Sequence, residues 1–145
     1  EGSENAQPCS ALEEALESSF LEAVFVCPSN PFLSIDPILS VGRIKEKLKK
    51  STAKVIAISP IVGGDAVKGP TAKNLRDLGY EVSAFTVAEY YSDFIDGFIL
   101  DKRDEKEIFQ IESIGIRVGL ADTVMIDLQS KIKLAESVML FLKKF

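Results

Sequence analysis

The stretch AVFVCPSNPFLSIDPILSVGRIKEKLKK, residues 23–50, places a strand, a loop and a helix in direct succession. Residues 23–27 form a short, continuous apolar run, which is typical of a strand covered on both faces in a parallel sheet. Asp36 can be the N-cap of a helix with Pro37 at its first position, and the apolar residues at helical spacing behind it are Val41, Ile44 and Leu48. The stretch therefore predicts one strand-loop-helix unit.

Similar units recur along the rest of the chain. Further strands are predicted at 54–59, 98–100 and 116–120, and helices at 10–22, 70–78, 83–92, 104–114 and from 127 onwards. Strands and helices that alternate at this spacing build a parallel sheet joined by right-handed crossovers. We therefore predict an α/β fold, with a Rossmann-like, mostly parallel sheet of about four strands and helices on both faces.

Local signals suggest where individual helices begin and which side they bury. Ser10 and Glu13 have the spacing of a capping box, and Asp104 and Asp127 fit the N-caps of two later helices. One side of the last helix is expected to face the core, and its apolar residues are Leu128, Ile132, Ala135, Met139 and Leu142.

Composition limits the classes of function. The 145 residues are 46% hydrophobic, which suits one domain over residues 1–145, and the net charge of -5 argues against nucleic acid as a partner. No run approaches the roughly 18 apolar residues of a membrane span, so no membrane partner is expected. Cys9 and Cys27 fit reduced thiols in a cytoplasmic protein. The absence of histidine excludes Ser-His-Asp, Cys-His and His-zinc chemistry within this chain.

Polar side chains follow the first strand, at the edge of the sheet where parallel α/β proteins bind ligands. Ser29, Asn30 and Ser34 lie close to a predicted helix start, where N–H groups and the helix dipole favour an anion. We interpret this loop as a phosphate or diphosphate site. The alternative is that Ser29 and Asn30 only satisfy the backbone of a turn.

Two further loops reach the same edge. In SPIVGGDAVKGP, residues 59–70, Gly63 and Gly64 allow a close approach of backbone to ligand, and Lys68 adds a mobile positive charge. The spacing is not that of a P-loop, and a glycine-rich turn with a solvated lysine is the alternative. Asp122 and Thr123 end the fourth strand, where Asp122 can meet a ligand or cap the next segment.

Four blocks of sequence, in this order, resemble the 2-phospho-L-lactate transferase family of coenzyme F-420 (deazaflavin) biosynthesis. The blocks are PSNPFLSIDPIL (28–39), VIAISPIVGGDAVKGPTAKNLRDLG (55–79), IDGFILD (95–101) and GIRVGLADTVM (115–125). The resemblance is to the C-terminal half of such enzymes, so the chain is expected to be a portion of a longer transferase. The catalytic and metal-binding acidic residues are then expected in the N-terminal half, which this sequence does not contain.

The resemblance implies a magnesium-dependent transfer of a 2-phospholactyl group from a guanosine diphospho-linked donor to the hydroxyl of a deazaflavin acceptor, with release of GMP. It implies that the nucleotide or diphosphate site is lined by Ser29, Asn30, Pro31, Ser34, Gly63, Gly64 and Lys68, with Asp122 and Thr123 as secondary candidates. Two departures from the family pattern are Cys27, where glycine is common, and Gly42-Arg43, which replaces a Pro-Gly pair.

Two other classes of function remain open. A non-catalytic regulator that binds nucleotide sugars would use a similar framework with similar Ser-Asn-Pro and Gly-Gly loops. An assembly module is the third possibility, because an exposed apolar sheet edge tends to pair with another chain. On that ground we predict a homo-oligomer.

Overall fold

Four strands form a parallel sheet in the computed structural model, which describes residues 5–67 and 69–145. In chain order the strands are β1 (Ala23–Val26), β2 (Lys54–Ile58), β3 (Ile61–Val62), β4 (Asp65–Ala66), β5 (Gly97–Asp101) and β6 (Arg117–Ala121). The sheet has the order β1-β2-β5-β6 with every pair parallel, whereas β3 and β4 form a separate antiparallel hairpin. The predicted α/β fold with a Rossmann-like parallel sheet is confirmed.

One helix precedes the first strand, and the others lie between the strands or behind the last one. They are α1 (Ser10–Glu17), α2 (Asp36–Ser40), α3 (Ile44–Lys50), α4 (Thr71–Asp77), α5 (Ala84–Tyr91), α6 (Ile108–Ser113) and α7 (Leu128–Leu142). A π-helical turn, Pro31–Ile35, precedes α2, and 3₁₀ turns cover Val41–Arg43 and Lys102–Glu107. Among the described residues, no helix combines the length and apolar character needed to cross a membrane.

Both faces of the sheet carry a hydrophobic core, because alternate residues of a strand point to opposite sides. On one face, Val55 and Ala57 of β2 pack among residues of α2 to α6. On the other, Ile56 and Ile58 of β2 and Ile99 of β5 pack against α7, which contributes Leu134, Val138 and Phe141. The prediction of helices on both faces is confirmed.

The ring of Phe141 lies directly against two glycines of the sheet. A Cβ atom added at Gly97 would lie 2.8 Å from Phe141 Cε1, and one added at Gly119 would lie 2.9 Å from Phe141 Cδ2. Such distances are below normal packing contacts, so β5 and β6 admit this ring only because both positions lack a side chain.

The helical segment after β1 begins earlier than the sequence predicts. Asn30 is its N-cap: the side-chain Oδ1 accepts hydrogen bonds from the N–H groups of Phe32 and Leu33, both at 3.0 Å. Asp36 instead lies within the helical path and accepts a hydrogen bond from the Tyr90 hydroxyl. The predicted N-cap at Asp36 is wrong because Asn30, directly before Pro31, starts the helical turn first.

The predicted capping box at the start of α1 is also wrong. Cys9 is the N-cap and makes no side-chain capping hydrogen bond, and the helix ends at Glu17 rather than at residue 22. The Glu13 carboxylate instead lies 3.0 Å from Nζ of Lys47 on α3. A long-range ion pair thus replaces the local cap.

Asp104 does not begin a helix either. The chain leaves β5 through a 3₁₀ turn whose N-cap is Asp101, and α6 begins only at Ile108. Asp104 is buried inside that turn and binds the N–H groups of Gly63 and Gly64. The predicted capping role is wrong because the side chain is taken up by the hairpin.

Helix α7 begins behind Asp127, as predicted, with a capping box between Asp127 and Ser130. Its buried side is different from the prediction: Leu128, Ile132 and Met139 are 68%, 41% and 46% exposed, while the buried residues are Leu134, Val138 and Phe141. The helix carries two apolar stripes, and its direction over the sheet buries the one with Phe141.

Strand β1 lies at the edge of the sheet and is not covered on both faces. Within the described residues it pairs with β2 alone, and Phe25 is 37% exposed. Cys27, predicted to lie in the strand, follows it and is exposed. Both cysteines are free thiols, as expected. The prediction of a strand buried on both sides is wrong because β1 is an edge strand and Phe25 belongs to neither hydrophobic cluster of the described residues.

Candidate functional site

A cavity of about 390 Å³ opens at the carboxyl ends of β1, β2 and β6. Its polar lining is Ser29, Asn30, Ser34, Ser59, Thr71 and Thr123, and its apolar lining includes Val62, Val67, Val124 and Met125. Ligand sites of proteins are concave and of about 300–1,000 Å³, with apolar walls and a few convergent polar groups. The cavity has these properties and lies at the edge of the sheet where the sequence predicts a site.

The loop after β1 supplies an unusual hydrogen-bond donor. Asn30 is only 8% exposed, and its Nδ2 atom is buried with no hydrogen-bond partner among residues 5–67 and 69–145. The amide orientation is fixed, because Oδ1 accepts from two backbone N–H groups. Leaving a buried donor unpaired costs about 1–3 kcal/mol. Since Asn30 lines the cavity, a ligand oxygen there would supply the missing acceptor.

The same loop offers side chains rather than backbone N–H groups to a ligand. The N–H groups of Ser34 and Ile35 donate to the Asn30 carbonyl at 3.0 and 3.2 Å, in addition to the two that its side chain binds. These four N–H groups of the first helical turn are therefore already hydrogen-bonded within the loop. Ser29 and Ser34 remain on the cavity wall beside Asn30, half-buried.

The chain turns sharply at the end of β2 and forms the second wall. Ser59 is buried, and its Oγ accepts from the N–H of Ile61 at 3.1 Å and donates to the carbonyl of Ile61 at 2.9 Å. The hairpin that follows turns at Gly63 and Gly64, whose φ angles of 63° and 78° favour glycine. Val62, before the turn, lines the cavity.

The third wall begins behind β6 with Thr123, which is 5% exposed. Its N–H and its hydroxyl both donate to Oδ2 of Asp101, at 3.0 and 3.1 Å. Asp101 is 1% exposed, and its Oδ1 also accepts from Nε of Arg103 at 2.8 Å. Burial alone would raise the pKa of Asp101, but the hydrogen bonds from Arg103 and Thr123 outweigh it and lower the pKa to about 2. The carboxylate is therefore ionised at neutral pH.

Several of the predicted site residues lie off the cavity lining. Pro31 is buried at the first position of the helical turn, and Gly63 and Gly64 are at the tip of the hairpin, with their N–H groups bound by Asp104. Asp122 is exposed and forms an ion pair with Lys102 at 2.8 Å. Lys68 lies outside the described residues. The structure thus brings Ser29, Asn30, Ser34 and Thr123 together, and their binding of a ligand stays a prediction.

Magnesium has no evident protein site in the part of the chain that the structure describes. No group of three or more Cys, Asp or Glu side chains there is arranged to hold a metal ion. The described residues therefore do not fit a metal site made by the protein alone, and we assign none of them to magnesium.

Sequence reasoning places Ser59 and Asp101 at the binding edge of the sheet without giving either a role, and it did not identify Thr71 and Asp104 as part of this region. Ser59 and Asp101 each follow or end an apolar strand, and that position at the binding edge of the sheet was the available signal. Thr71 and Asp104 gave no such signal, because each has the sequence surroundings of an ordinary helix start.

The fold and the cavity together define an α/β protein with a ligand cleft at the carboxyl ends of its parallel strands. The model of the family 2-phospho-L-lactate transferase CofD matches residues 1–138. The chain belongs to this family.

Curated relatives support the same assignment. The chain is 46% identical over 125 residues to the 2-phospho-L-lactate transferase of Methanosarcina barkeri, covering 86% of this chain and 39% of the relative. It is 42% identical over 141 residues to that of Methanocaldococcus jannaschii, covering 97% of this chain and 43% of the relative. It is 38% identical over 143 residues to that of Methanococcus maripaludis strain C5, covering 99% of this chain and 44% of the relative. The chain thus spans about two fifths of the length of these relatives, in their C-terminal portion.

Proposed function

We propose that this chain supplies the nucleotide and diphosphate side of a 2-phospho-L-lactate transferase. The donor is a guanosine diphospho-linked lactate, the acceptor is the hydroxyl of a deazaflavin, and the product nucleotide is GMP. The family assignment and the relatives named as 2-phospho-L-lactate transferases support the reaction class. The cytoplasm is the proposed compartment, in line with the two free cysteines.

The observation that carries the proposal is the buried Nδ2 group of Asn30. It is a donor without an acceptor among the described residues, so it suits a phosphate oxygen and not a cation. The hydroxyls of Ser29 and Ser34 lie on the same wall of the cavity and can add further hydrogen bonds to phosphate.

In the proposed reaction, the main role of this chain is to position the diphosphate of the donor. The acceptor oxygen forms a bond to the phosphorus of the phospholactyl group, the bond from that phosphorus to the GMP oxygen breaks, and the hydroxyl proton passes to solvent. Such a transfer depends on alignment and on neutralisation of charge more than on a histidine base. Asn30 would hold a diphosphate oxygen, and the apolar walls formed by Val62, Val67 and Met125 would limit water around it.

Magnesium belongs to the proposal as an ion carried by the diphosphate. When bound, it would neutralise phosphate charge. Because the described residues do not fit a protein-held metal site, we assign no step of the reaction to the ion.

Calorimetric titration with GDP in the presence of magnesium tests the proposal. Asn30→Asp is the decisive variant, since it keeps the Oδ1 acceptor that caps the helical turn and replaces only the free donor by a charged oxygen. We expect wild-type binding and its loss in this variant. Gln110→Glu on the exposed side of α6 adds the same charge elsewhere and should bind GDP as the wild type does. Equal binding by wild type and Asn30→Asp would refute the assignment of this site.

A second titration separates the transferase from the nucleotide-sugar-binding regulator. The transferase is expected to bind GDP and to bind the deazaflavin acceptor once the remainder of the enzyme is supplied. A regulator should hold a uridine or guanosine diphosphate sugar and ignore the deazaflavin under both conditions. Binding of the sugar nucleotide alone would therefore favour the regulator.

A further inference from the structure

Two carboxylates are almost completely buried at the carboxyl end of β5, one on the last residue of the strand and one in the turn behind it. Asp101 and Asp104 are each 1% exposed, although neither lines the cavity. Burying a carboxylate is costly unless hydrogen bonds compensate for lost hydration. The hydrogen-bond partners of Asp101 and Asp104 therefore indicate the role of each carboxylate.

Asp101 binds the wall of the cavity that follows β6. Its Oδ2 accepts both the N–H and the hydroxyl of Thr123, at 3.0 and 3.1 Å. Thr123 thereby has its backbone and its side chain fixed by the same carboxylate oxygen. The remaining oxygen binds the N–H and Nε of Arg103, at 3.1 and 2.8 Å.

Asp104 binds the wall that follows β2. Its Oδ2 accepts from the N–H of Gly63 at 2.8 Å, and its Oδ1 accepts from the N–H of Gly64 at 3.2 Å. These two N–H groups form the tip of the hairpin, between Val62 and Val67, which both line the cavity. The glycine-rich turn is thus held by a carboxylate of the protein itself.

We propose that Asp101 and Asp104 are positioning residues that set the separation of the two cavity walls from behind, through Thr123 and through the Gly63-Gly64 turn. The inference rests on the proposed nucleotide site, which it deepens. It also gives the two glycines a role different from phosphate contact: their N–H groups donate to the carboxylate of Asp104, and the nucleotide phosphate binds at the Asn30 wall.

Affinity for GDP is the first test, in Asp101→Asn and Asp104→Asn. Each variant keeps the shape of the side chain and removes one charged acceptor, so we expect GDP to bind about tenfold more weakly at a temperature well below unfolding. Glu107→Gln is the matched control: Glu107 is also buried and also accepts a backbone N–H, from Phe85 at 2.7 Å, but it serves the start of α5. Glu107→Gln should keep the affinity of wild type for GDP.

A double-mutant cycle separates positioning from a general loss of stability. If Asp101 acts through Thr123, both single variants disturb the same bond to the threonine hydroxyl, while Thr123→Val keeps the backbone N–H bond. The variant Asp101→Asn/Thr123→Val should therefore lose less affinity for GDP than the product of the two single losses. A purely structural role would make the two losses multiply. Multiplied losses, or full affinity in both aspartate variants, would overturn the proposal while leaving the nucleotide site intact.

A measurement without ligand tests the positioning role even if wild type does not bind GDP. It separates a failure of this inference from a failure of the proposed function. Amide resonances of Thr123 and of Gly63 report their hydrogen bonds to the two carboxylates directly. We expect Asp101→Asn to shift the first and Asp104→Asn the second, with further shifts at Val62, Val67 and Val124. Unshifted resonances of these cavity residues would overturn the proposed positioning role.

Discussion

Asp101 and Thr123 are joined by two hydrogen bonds to one oxygen, from the threonine N–H at 3.0 Å and from its hydroxyl at 3.1 Å. Together with the contact to Arg103 they hold the pKa of Asp101 at about 2 despite its burial. Because this value lies below the ordinary pKa of an aspartate, near 3.9, the folded state gains stability only while the carboxylate is ionised. The gain is present above about pH 4 and is lost as the pH falls toward 2.

Acid unfolding of Asp101→Asn tests this linkage. We expect the free energy of unfolding of wild type to fall by about 2 kcal/mol more than that of the variant between pH 5 and pH 2. Urea titrations at a series of pH values in that window would measure the difference. If the free energy of unfolding had the same pH dependence in both proteins, the pKa of Asp101 would not be lowered by folding.

Tyr90 should titrate well above the usual range of a tyrosine. Burial raises its pKa, the hydrogen bond to Asp36 raises it further, and the resulting value is about 12. A raised value favours the neutral phenol, so the stabilisation is complete below about pH 10 and is lost between about pH 10 and pH 12. Phenolate absorbance after a rapid pH jump should show a step near pH 12 that is absent in Tyr90→Phe. Asp36→Asn should move that step to lower pH, and an unmoved step would exclude this contact as a cause.

Gly119→Ala should destabilise the protein through the ring of Phe141. The added methyl group would lie 2.7 Å from Ile99 Cδ1 and 2.9 Å from Phe141 Cδ2, and both residues belong to the core under α7. Overpacking of this kind costs about 1–3 kcal/mol. Thermal unfolding would measure the loss, and Gly119→Ala/Phe141→Leu should recover part of it. A melting temperature equal to that of wild type would mean that α7 shifts freely.

Helix α1 contacts the rest of the fold through ion pairs with α3 and through Leu16, which is partly buried against the core. It has no buried residue of its own, and Nζ of Lys47 lies 3.0 Å from Glu13 and 3.4 Å from Glu17. Exposed ion pairs contribute little to global stability, so Lys47→Gln should leave the melting temperature nearly unchanged. Amide exchange in residues 10–17 should nevertheless become faster, because local opening costs less. Unchanged exchange there would show that other contacts hold α1.

Self-association is expected through the apolar surfaces that the fold leaves open. Leu128, Ile132 and Met139 form an exposed stripe on α7, and Phe25 is exposed on the edge strand β1. We expect the sedimentation mass of the chain to rise with concentration and Ile132→Glu to reduce that rise. Glu136→Gln, on the same helix beside the stripe, serves as the control. A monomeric mass over the whole concentration range would contradict the predicted homo-oligomer.

The order of the four sheet strands followed from the sequence alone, whereas the β3-β4 hairpin and the division of the helix behind Asp36 into α2 and α3 did not. The apolar runs of β2 and β5 and the helical spacing of α5 are local patterns, and they required a parallel sheet with crossovers whatever the detailed packing. The edge of the sheet that carries the cavity followed from the same rule, so Ser29, Asn30, Ser34 and Thr123 could be placed there from the sequence.

Three predictions about how helices begin were wrong for a common reason. Asp36, Asp104 and Glu13 each had the local spacing of a cap, yet each binds a partner distant in sequence: Tyr90, the Gly63-Gly64 turn and Lys47. A local sequence pattern indicates which hydrogen bonds a side chain can make with its neighbours in the chain. It does not indicate which distant residue folding brings close enough to compete for that side chain.

The sequence by itself determined the α/β class, the edge of the sheet that carries the cavity and most of the side chains on its first loop. Only the tertiary structure decided which stripe of α7 is buried, which donor of Asn30 is left without an acceptor, and that Asp101 and Asp104 lie behind the cavity. The physical reason is that periodicity and chain order are encoded locally, whereas burial and hydrogen-bond satisfaction depend on which distant groups meet.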